Sequence, residues 1–101
     1  MKKVFISQPM YGKSNEEIIK DRERIINLLK ENYANEEIEI IDSFFMDAPI
    51  YANPLWFLGK SIMLLSIADI VVFAKGWRSA RGCKIEFKCA KEYGISYICE
   101  D

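Results

Sequence analysis

The chain has 101 residues, half of them hydrophobic, and a formal net charge of −1. Residues 1–101 therefore make one domain with a real core, and the composition excludes a disordered chain. Lysine and arginine are scattered rather than gathered in a stripe, which argues against a nucleic-acid partner. No apolar run reaches the length of a membrane span and the N-terminus is too short for a signal peptide, so we expect no membrane association and a cytoplasmic protein.

The residue types also restrict the chemistry. The sequence contains no histidine and three cysteines. The lack of histidine excludes Ser-His-Asp triads and HExxH zinc sites. Cys83, Cys89 and Cys99 are irregularly spaced, which favours reduced core residues over a disulfide framework or a zinc site. Catalysis would have to rest on carboxylates, hydroxyls, thiols or cations.

The first half of the chain predicts a strand, a helix and a second strand. Lys3–Ser7 is a short apolar strand, and Gln8–Gly12 is a loop. Ser14, with Glu17 three residues on, is a capping box that predicts a helix start. The apolar face of this helix comprises Ile18, Ile25, Ile26, Leu29 and Tyr33. Its charged residues are expected to form a solvated face: Lys20, Asp21, Arg22, Glu23, Arg24 and Lys30.

The next elements are a strand at Glu37–Asp42, a helix from Asn53-Pro54 and a strand at Asp69–Ala74. Asn53 is a favourable N-cap and Pro54 suits the first turn. The loop Ser43–Asn53 is unusually apolar, whereas loops normally face water. We therefore expect this loop to cover another surface. It would either form a subunit interface or make a wall of a ligand site.

The segment Ala80–Gly94 carries the most informative residue, Glu86. Gly82 opens a predicted helix, Gly94 suits its C-terminal cap, and the strand Ile95–Cys99 follows. Glu86, in the predicted first turn, shares a stripe with buried-type residues: Cys89, Ala90 and Tyr93. Because burying an unpartnered carboxylate is costly, this position needs a reason. Glu86 either caps the helix or pairs with a nearby arginine, or it belongs to a functional site.

The order of elements predicts an α/β fold with a four-stranded parallel sheet in the order 2-1-3-4 and helices on both faces. Ligands of such sheets bind beyond the carboxyl ends of the strands, where the strand order reverses. We expect that crevice between the first and third strands, lined by Ser7–Gly12, Lys75–Gly82 and the start of the helix that carries Glu86. The predicted topology and the apolar surroundings of Glu86 thus both indicate a site in this crevice.

Several predicted crevice residues suit a phosphorylated, aromatic ligand. Ser7 and Gln8 offer polar side chains, and backbone N–H groups near Gly12 and Gly82 suit an anion, as do the nearby cations Lys13, Arg78 and Arg81. Trp77 and Tyr11 could stack on a base, although Trp77 could equally pack against the last helix. An ionised carboxylate in an apolar crevice can act as a nucleophile, for example on the anomeric carbon of a sugar.

These residues resemble the nucleoside 2-deoxyribosyltransferase-like superfamily over nearly the whole chain. The matching segments are Phe5–Met10 with Gly12, Ile67–Val72, and Gly82–Glu86 with Ala90 and Gly94. The branch most similar to this chain carries ISQPM-G near its start and is related to deoxynucleoside-monophosphate N-glycosidases. The resemblance implies a flavodoxin-like, Rossmann-like three-layer sandwich, no metal or cofactor, and homo-oligomers of two or more subunits in which a neighbour helps to close each site.

The resemblance also implies a function, namely a hydrolase or transferase acting on the N-glycosidic bond of a small nucleoside or nucleotide. The family's nucleophilic glutamate falls on Glu86, and the substrate-binding positions are expected at Ser7, Gln8, Pro9, Met10, Gly12, Trp77, Arg81 and Gly82. The chain departs from the family in three places: Phe5 stands in place of a tyrosine that steers the glutamate, Ser61 stands in place of an aspartate, and Ser79–Arg81 lacks an acidic residue that is often seen in that loop. The missing tyrosine and aspartate motivate one alternative, a non-catalytic binder of a nucleotide or ADP-ribose-like ligand. The apolar loop motivates another, an interaction module that assembles through Phe44–Tyr51.

Overall fold

The structure, a computed structural model, describes residues 1–100. Its strands are Lys2–Ser7 (β1), Ile38–Ile40 (β2), Ile70–Phe73 (β3) and Ser96–Cys99 (β4). Its helices are Asn15–Asn32 (α1), Pro54–Leu65 (α2) and Arg81–Glu92 (α3), and one turn of 3-10 helix spans Trp77–Ser79. Strands and helices alternate along the chain as predicted.

The four strands form one parallel sheet in the order β2-β1-β3-β4. This confirms the predicted α/β fold, a flavodoxin-like sandwich. The last residue of β1, Ser7, lies opposite the last residue of β3, Phe73. The carboxyl ends of these two strands therefore meet at the edge where the strand order reverses.

Alternation along β1 separates two core layers. Val4 and Ile6 belong to the cluster that contains Ile25 and Leu29 of α1. Phe5 belongs to the other cluster, with Leu65 of α2 and with Cys83 and Ala90 of α3. Helix α1 thus covers one face of the sheet, and α2 and α3 cover the other. Because successive side chains alternate between faces, Ser7 points with Phe5 toward α2 and α3.

The local signals at the helix ends are confirmed. Ser14 Oγ accepts a 3.2 Å hydrogen bond from the Glu17 backbone N–H, and Glu17 Oε1 accepts a 3.1 Å bond from the Ser14 N–H. Asn53 Oδ1 accepts a 2.9 Å bond from the Trp56 N–H at the start of α2. Gly94 adopts a φ of 70° just beyond α3, a left-handed conformation that favours glycine.

Three expectations about the elements are wrong in detail. Helix α3 begins at Arg81, so Glu86 lies in its second turn rather than its first. Tyr93 is 83% exposed, since it lies at the C-cap of α3 rather than within the helix. Strand β2 covers only Ile38–Ile40 of the predicted Glu37–Asp42. Within residues 1–100, the helices are too short or too polar to cross a membrane.

Candidate functional site

Two loops meet at the carboxyl edge of β1 and β3. The Ala74 N–H donates a 2.8 Å hydrogen bond to the Ser7 carbonyl oxygen, which ties the end of one strand to the end of the other. Gly76 has a φ of 89°, and a Cβ on it would lie 3.6 Å from Pro9 Cγ. The loop after β1 and the loop after β3 therefore lie side by side, as the predicted crevice requires.

Glu86 is buried beside this edge, with 7% of its surface exposed. The Ser7 hydroxyl donates a 2.6 Å hydrogen bond to Glu86 Oε1. Burial raises the pKa of the Glu86 carboxyl to about 6, against the lowering effects of the Ser7 and Ser61 hydroxyls. At neutral pH the group is mostly ionised, and around pH 6 it changes charge. The prediction that Glu86 is buried is confirmed.

Cys83 and Lys13 add to the groups around Glu86. Cys83 is buried one turn before Glu86, and burial raises the pKa of its thiol to about 11. The Ser7 hydroxyl and the Lys13 ammonium oppose this shift, whereas the Glu86 charge adds to it. Cys83 is thus a neutral thiol at pH 7 and a weak nucleophile. We call Ser7, Lys13, Ser61, Cys83 and Glu86 the Glu86 cluster.

Gln8 lies outside this cluster because it follows Ser7 and points to the opposite face of the sheet. Gln8 Nε2 donates a 3.1 Å bond to the Ile18 carbonyl oxygen, and Gln8 Oε1 accepts a 2.9 Å bond from Arg22 Nε. The predicted substrate-binding side chain therefore has structural partners on α1. Its amide fixes the position of the loop after β1.

Arg22 is the residue that holds this polar network together, and its predicted solvated position is wrong. Its Nη2 donates a 2.8 Å bond to Ser43 Oγ, and Ser43 Oγ donates a 3.3 Å bond to the Ile6 carbonyl oxygen. Arg22 is half-buried, and burial lowers the pKa of its guanidinium while the Asp42 charge raises it. The network joins β1, α1 and the segment after β2.

A signal for Arg22 was present in the sequence. Residues 18, 22, 25 and 29 follow helical spacing along one stripe, and the other three positions are buried apolar residues. A charged residue on such a stripe is a candidate for a buried, hydrogen-bonded role. The prediction missed this role because Arg22 stands in a run of charged residues, which as a group are typical of a solvated face.

Trp77 packs in the core, which was one of the two interpretations left open for it. The side chain is 6% exposed, and its ring lies 4.6 Å from the Phe87 ring, centroid to centroid. The Arg78 guanidinium carbon lies 4.7 Å from its ring centroid. Trp77 therefore supports α3 rather than offering a free face to a base, and its buried Nε1 has no hydrogen-bond partner within residues 1–100.

The remaining predicted site residues lie on the turn after β1 and at the start of α3. Met10 is half-buried, and its carbonyl oxygen accepts a 3.1 Å bond from the Lys13 N–H across a turn in which Gly12 has a φ of 78°. Arg81 is exposed at the first position of α3, and Gly82 follows it. A Cβ on Gly82 would meet nothing within 4 Å, so this position borders open space. Within residues 1–100, no three carboxylate or thiol side chains come together as a metal site.

Comparisons with known proteins add evidence on the fold. Neither a protein-family model nor any curated protein matches the sequence. Among solved structures, the chain is similar to a conserved protein from Enterococcus faecalis V583, with a TM-score of 0.69 and 14% sequence identity. The match covers 98% of this chain but 62% of the other, so the chain spans less than two thirds of that protein's length. At this identity the likeness supports the sandwich fold and says nothing about activity.

Proposed function

We propose that this chain is a nucleoside or nucleotide N-glycosidase, or a 2-deoxyribosyltransferase-like enzyme, in which Glu86 is the nucleophile. The observation that carries the proposal is the placement of Glu86. A carboxylate that is 7% exposed accepts a hydrogen bond from the last residue of β1, at the edge of the sheet where α/β proteins bind ligands. Its raised pKa of about 6 still leaves it mostly ionised at neutral pH.

The proposed reaction has two steps. A Glu86 carboxylate oxygen attacks C1′ of the sugar and forms a glycosyl ester, while the electron pair of the C1′–N bond leaves with the base, which takes up a proton from water. Water then attacks C1′ and releases the sugar with Glu86 regenerated, or a second base attacks and completes a transfer. Burial supports this chemistry, because a carboxylate with little hydration is a stronger nucleophile than one in bulk water.

The crevice offers features that suit the substrate. Lys13 and Arg81 are exposed cations, on the turn after β1 and at the first residue of α3. A 5′-phosphate near them would gain charge-assisted hydrogen bonds. The open space beside Gly82 gives a ligand room to approach the start of α3. Because the cysteines Cys83, Cys89 and Cys99 are all free, a reducing compartment such as the cytoplasm fits the protein.

We also propose that the enzyme is a homo-oligomer that assembles through α2 and the loop before it. Only Leu65 of α2 is buried, whereas Leu55 is 74% exposed and Met63 is 66% exposed. Other large apolar side chains exposed on these segments are Met46, Ile50, Tyr51 and Phe57. Such clustered apolar exposure on a small domain is typical of a protein interface.

The alternative, a non-catalytic ligand binder, has two observations in its favour. Phe5 is fully buried in the core and brings no hydroxyl to Glu86, and Ser61 brings a hydroxyl where an acid would donate a proton. Within residues 1–100, burial and two hydroxyls are the causes that shift the pKa of Glu86, and no second carboxylate is among them. Proton donation to the leaving base would then fall to water.

The test is base release from a panel of ribo- and deoxynucleosides and their 5′-monophosphates, followed by chromatography with and without an acceptor base. Glu86→Ala is run in parallel, with Glu92→Ala as a control for an exposed glutamate on the same helix. Release that Glu86→Ala abolishes and Glu92→Ala retains supports the proposal. No release from any compound, together with thermal stabilisation by one of them, supports the binder.

A further inference from the structure

The two oxygens of Glu86 are not equivalent. Oε1 accepts a hydrogen bond of 2.6 Å from Ser7 Oγ, a length typical of O–H donors to a charged acceptor. Ser7 is itself rigid, because its residue is 2% exposed and its carbonyl oxygen is bound to the Ala74 N–H at 2.8 Å. The donor is thus fixed by the sheet, and it fixes one oxygen of the carboxylate.

We propose that Ser7 is the positioning residue of Glu86: it holds Oε1 and thereby assigns Oε2 as the oxygen that attacks the sugar. This inference rests on the proposed function. It changes the expected role of Ser7 from binding substrate to orienting the nucleophile. In the reaction, the new bond joins Oε2 to C1′, the C1′–N pair leaves with the base, and the Ser7 proton stays on Oγ throughout.

Among the groups around Glu86, the hydroxyls are the ones that can position its carboxylate. From β1 it is faced by Ser7, from α2 by Ser61, and on α3 by the neutral thiol of Cys83. Lys13, on the turn after β1, acts on the Cys83 thiol and is not among the causes that shift the pKa of Glu86. Ser7 has the larger effect of the two hydroxyls, so removing it should matter more than removing Ser61.

A hydroxyl suits this role for a chemical reason. It donates to a carboxylate without giving up its proton at any physiological pH, so it lowers the pKa of the acid and restricts its rotation together. A residue that only tied β1 to α3 would affect stability, but it would not affect both the ionisation and the reactivity of Glu86. The pKa of Glu86 and the rate of base release therefore distinguish a positioning role of Ser7 from a purely structural one.

The experiment compares the wild-type protein with Ser7→Ala, Ser61→Ala and Ser7→Thr, with the exposed Ser66→Ala as the control. The Glu86 side-chain carboxyl carbon is followed by NMR of protein labelled with ¹³C-glutamate, assigned with Glu86→Gln. Both kcat and kcat/KM for base release are measured across the same pH range. We expect Ser7→Ala to raise the titration midpoint by about one pH unit. We also expect kcat above that midpoint to fall roughly tenfold or more, because the nucleophile is no longer held.

The remaining variants test whether Ser7 positions Glu86. Ser61→Ala should give a smaller upward shift of the midpoint, and Ser7→Thr should restore both the midpoint and the rate. If the wild-type protein releases base but Ser7→Ala changes neither readout, or shifts the midpoint without lowering kcat, positioning by Ser7 is overturned while the glycosidase proposal stands. If no compound is turned over, the proposed function and the Oε2 assignment fail together, and the titration still reports whether Ser7 controls the charge of Glu86.

Discussion

Ser7 Oγ lies 2.6 Å from Glu86 Oε1 and so joins the end of the first strand to the second turn of the last helix. The bond spans 79 positions in the sequence. It lies at the carboxyl edge of the two central strands, beside the turn that carries Lys13. A buried acid at this edge has consequences for stability as well as for chemistry.

Glu86→Gln should stabilise the protein at neutral pH. Because burial raises the pKa of Glu86 from 4.5 to about 6, the folded state binds the proton more tightly than the unfolded state. The free energy of unfolding therefore falls as the pH rises from 4.5 to 6 and is level above that range. The glutamine removes this loss, so we expect a gain of up to about 2 kcal/mol at pH 7 and little gain at pH 4.

Urea unfolding at pH 4, 5 and 7 measures this difference. The exposed Glu23→Gln on α1 is the control, and its effect should stay within about 0.5 kcal/mol at each pH. An equal gain from Glu86→Gln at pH 4 and pH 7 would contradict the assigned pKa.

Arg22→Met should destabilise the fold although it removes a charge from a helix rich in charges. The substitution leaves Gln8 Oε1 and Ser43 Oγ without their donor. Unpaired buried acceptors cost about 1–3 kcal/mol each, and the partial exposure of Arg22 favours the lower part of that range, so we expect a loss of about 2 kcal/mol. Denaturant unfolding beside the exposed Lys20→Met tests this, and equal effects of the two variants would refute the network.

Two glycines should respond to alanine in opposite directions. Gly76 has a φ of 89° and faces Pro9, so Gly76→Ala should cost about 1 kcal/mol or more. Gly59 lies in α2 with open space around it, so Gly59→Ala should stabilise by about 0.5–1 kcal/mol. Thermal unfolding of both variants checks this pair, and a neutral Gly76→Ala would contradict the left-handed backbone conformation at residue 76.

Leu55→Glu should dissociate the proposed oligomer. Phe45 is a poorer site for this test, because its ring lies 6.1 Å from the Trp56 ring within the same chain and its loss would disturb the fold itself. Leu55 is 74% exposed, so a charge there costs little in a single subunit but much in an apolar interface. Sedimentation measures the mass, with Ile19→Glu on the opposite face of the sheet as control. An unchanged mass for Leu55→Glu would exclude this surface as the interface.

The sequence predicted the architecture and the burial of Glu86 because both depend on local signals. Local preferences of a few residues specify these features. They include the buried apolar run before Ala74, the capping box at Ser14 and the N-cap at Asn53. Alternation of strands and helices then limits the topology to few choices. The odd placement of Glu86 among apolar residues was also visible, since helical spacing alone shows which residues share a face.

The partners of these residues were not predictable in the same way. Ser7 and Glu86 meet only because α3 packs on the face of the sheet toward which Ser7 points, and Gln8 turns away from Glu86 because strand side chains alternate. Trp77 is preceded and followed by loop-like residues, yet it packs against Phe73 and Phe87. Such contacts join residues from separate elements, so no local preference specifies them.

The sequence by itself thus determined the order of the elements, the parallel sheet and the burial of Glu86, because hydrophobic periodicity and capping act over one or two turns of chain. Tertiary structure decided which groups surround that carboxylate. It brought Ser7, Ser61 and Cys83 to Glu86 and assigned Gln8 to Arg22. The physical reason is that hydrogen bonding and desolvation act over a few ångströms of space, and only the packing of α2 and α3 against β1 sets those distances.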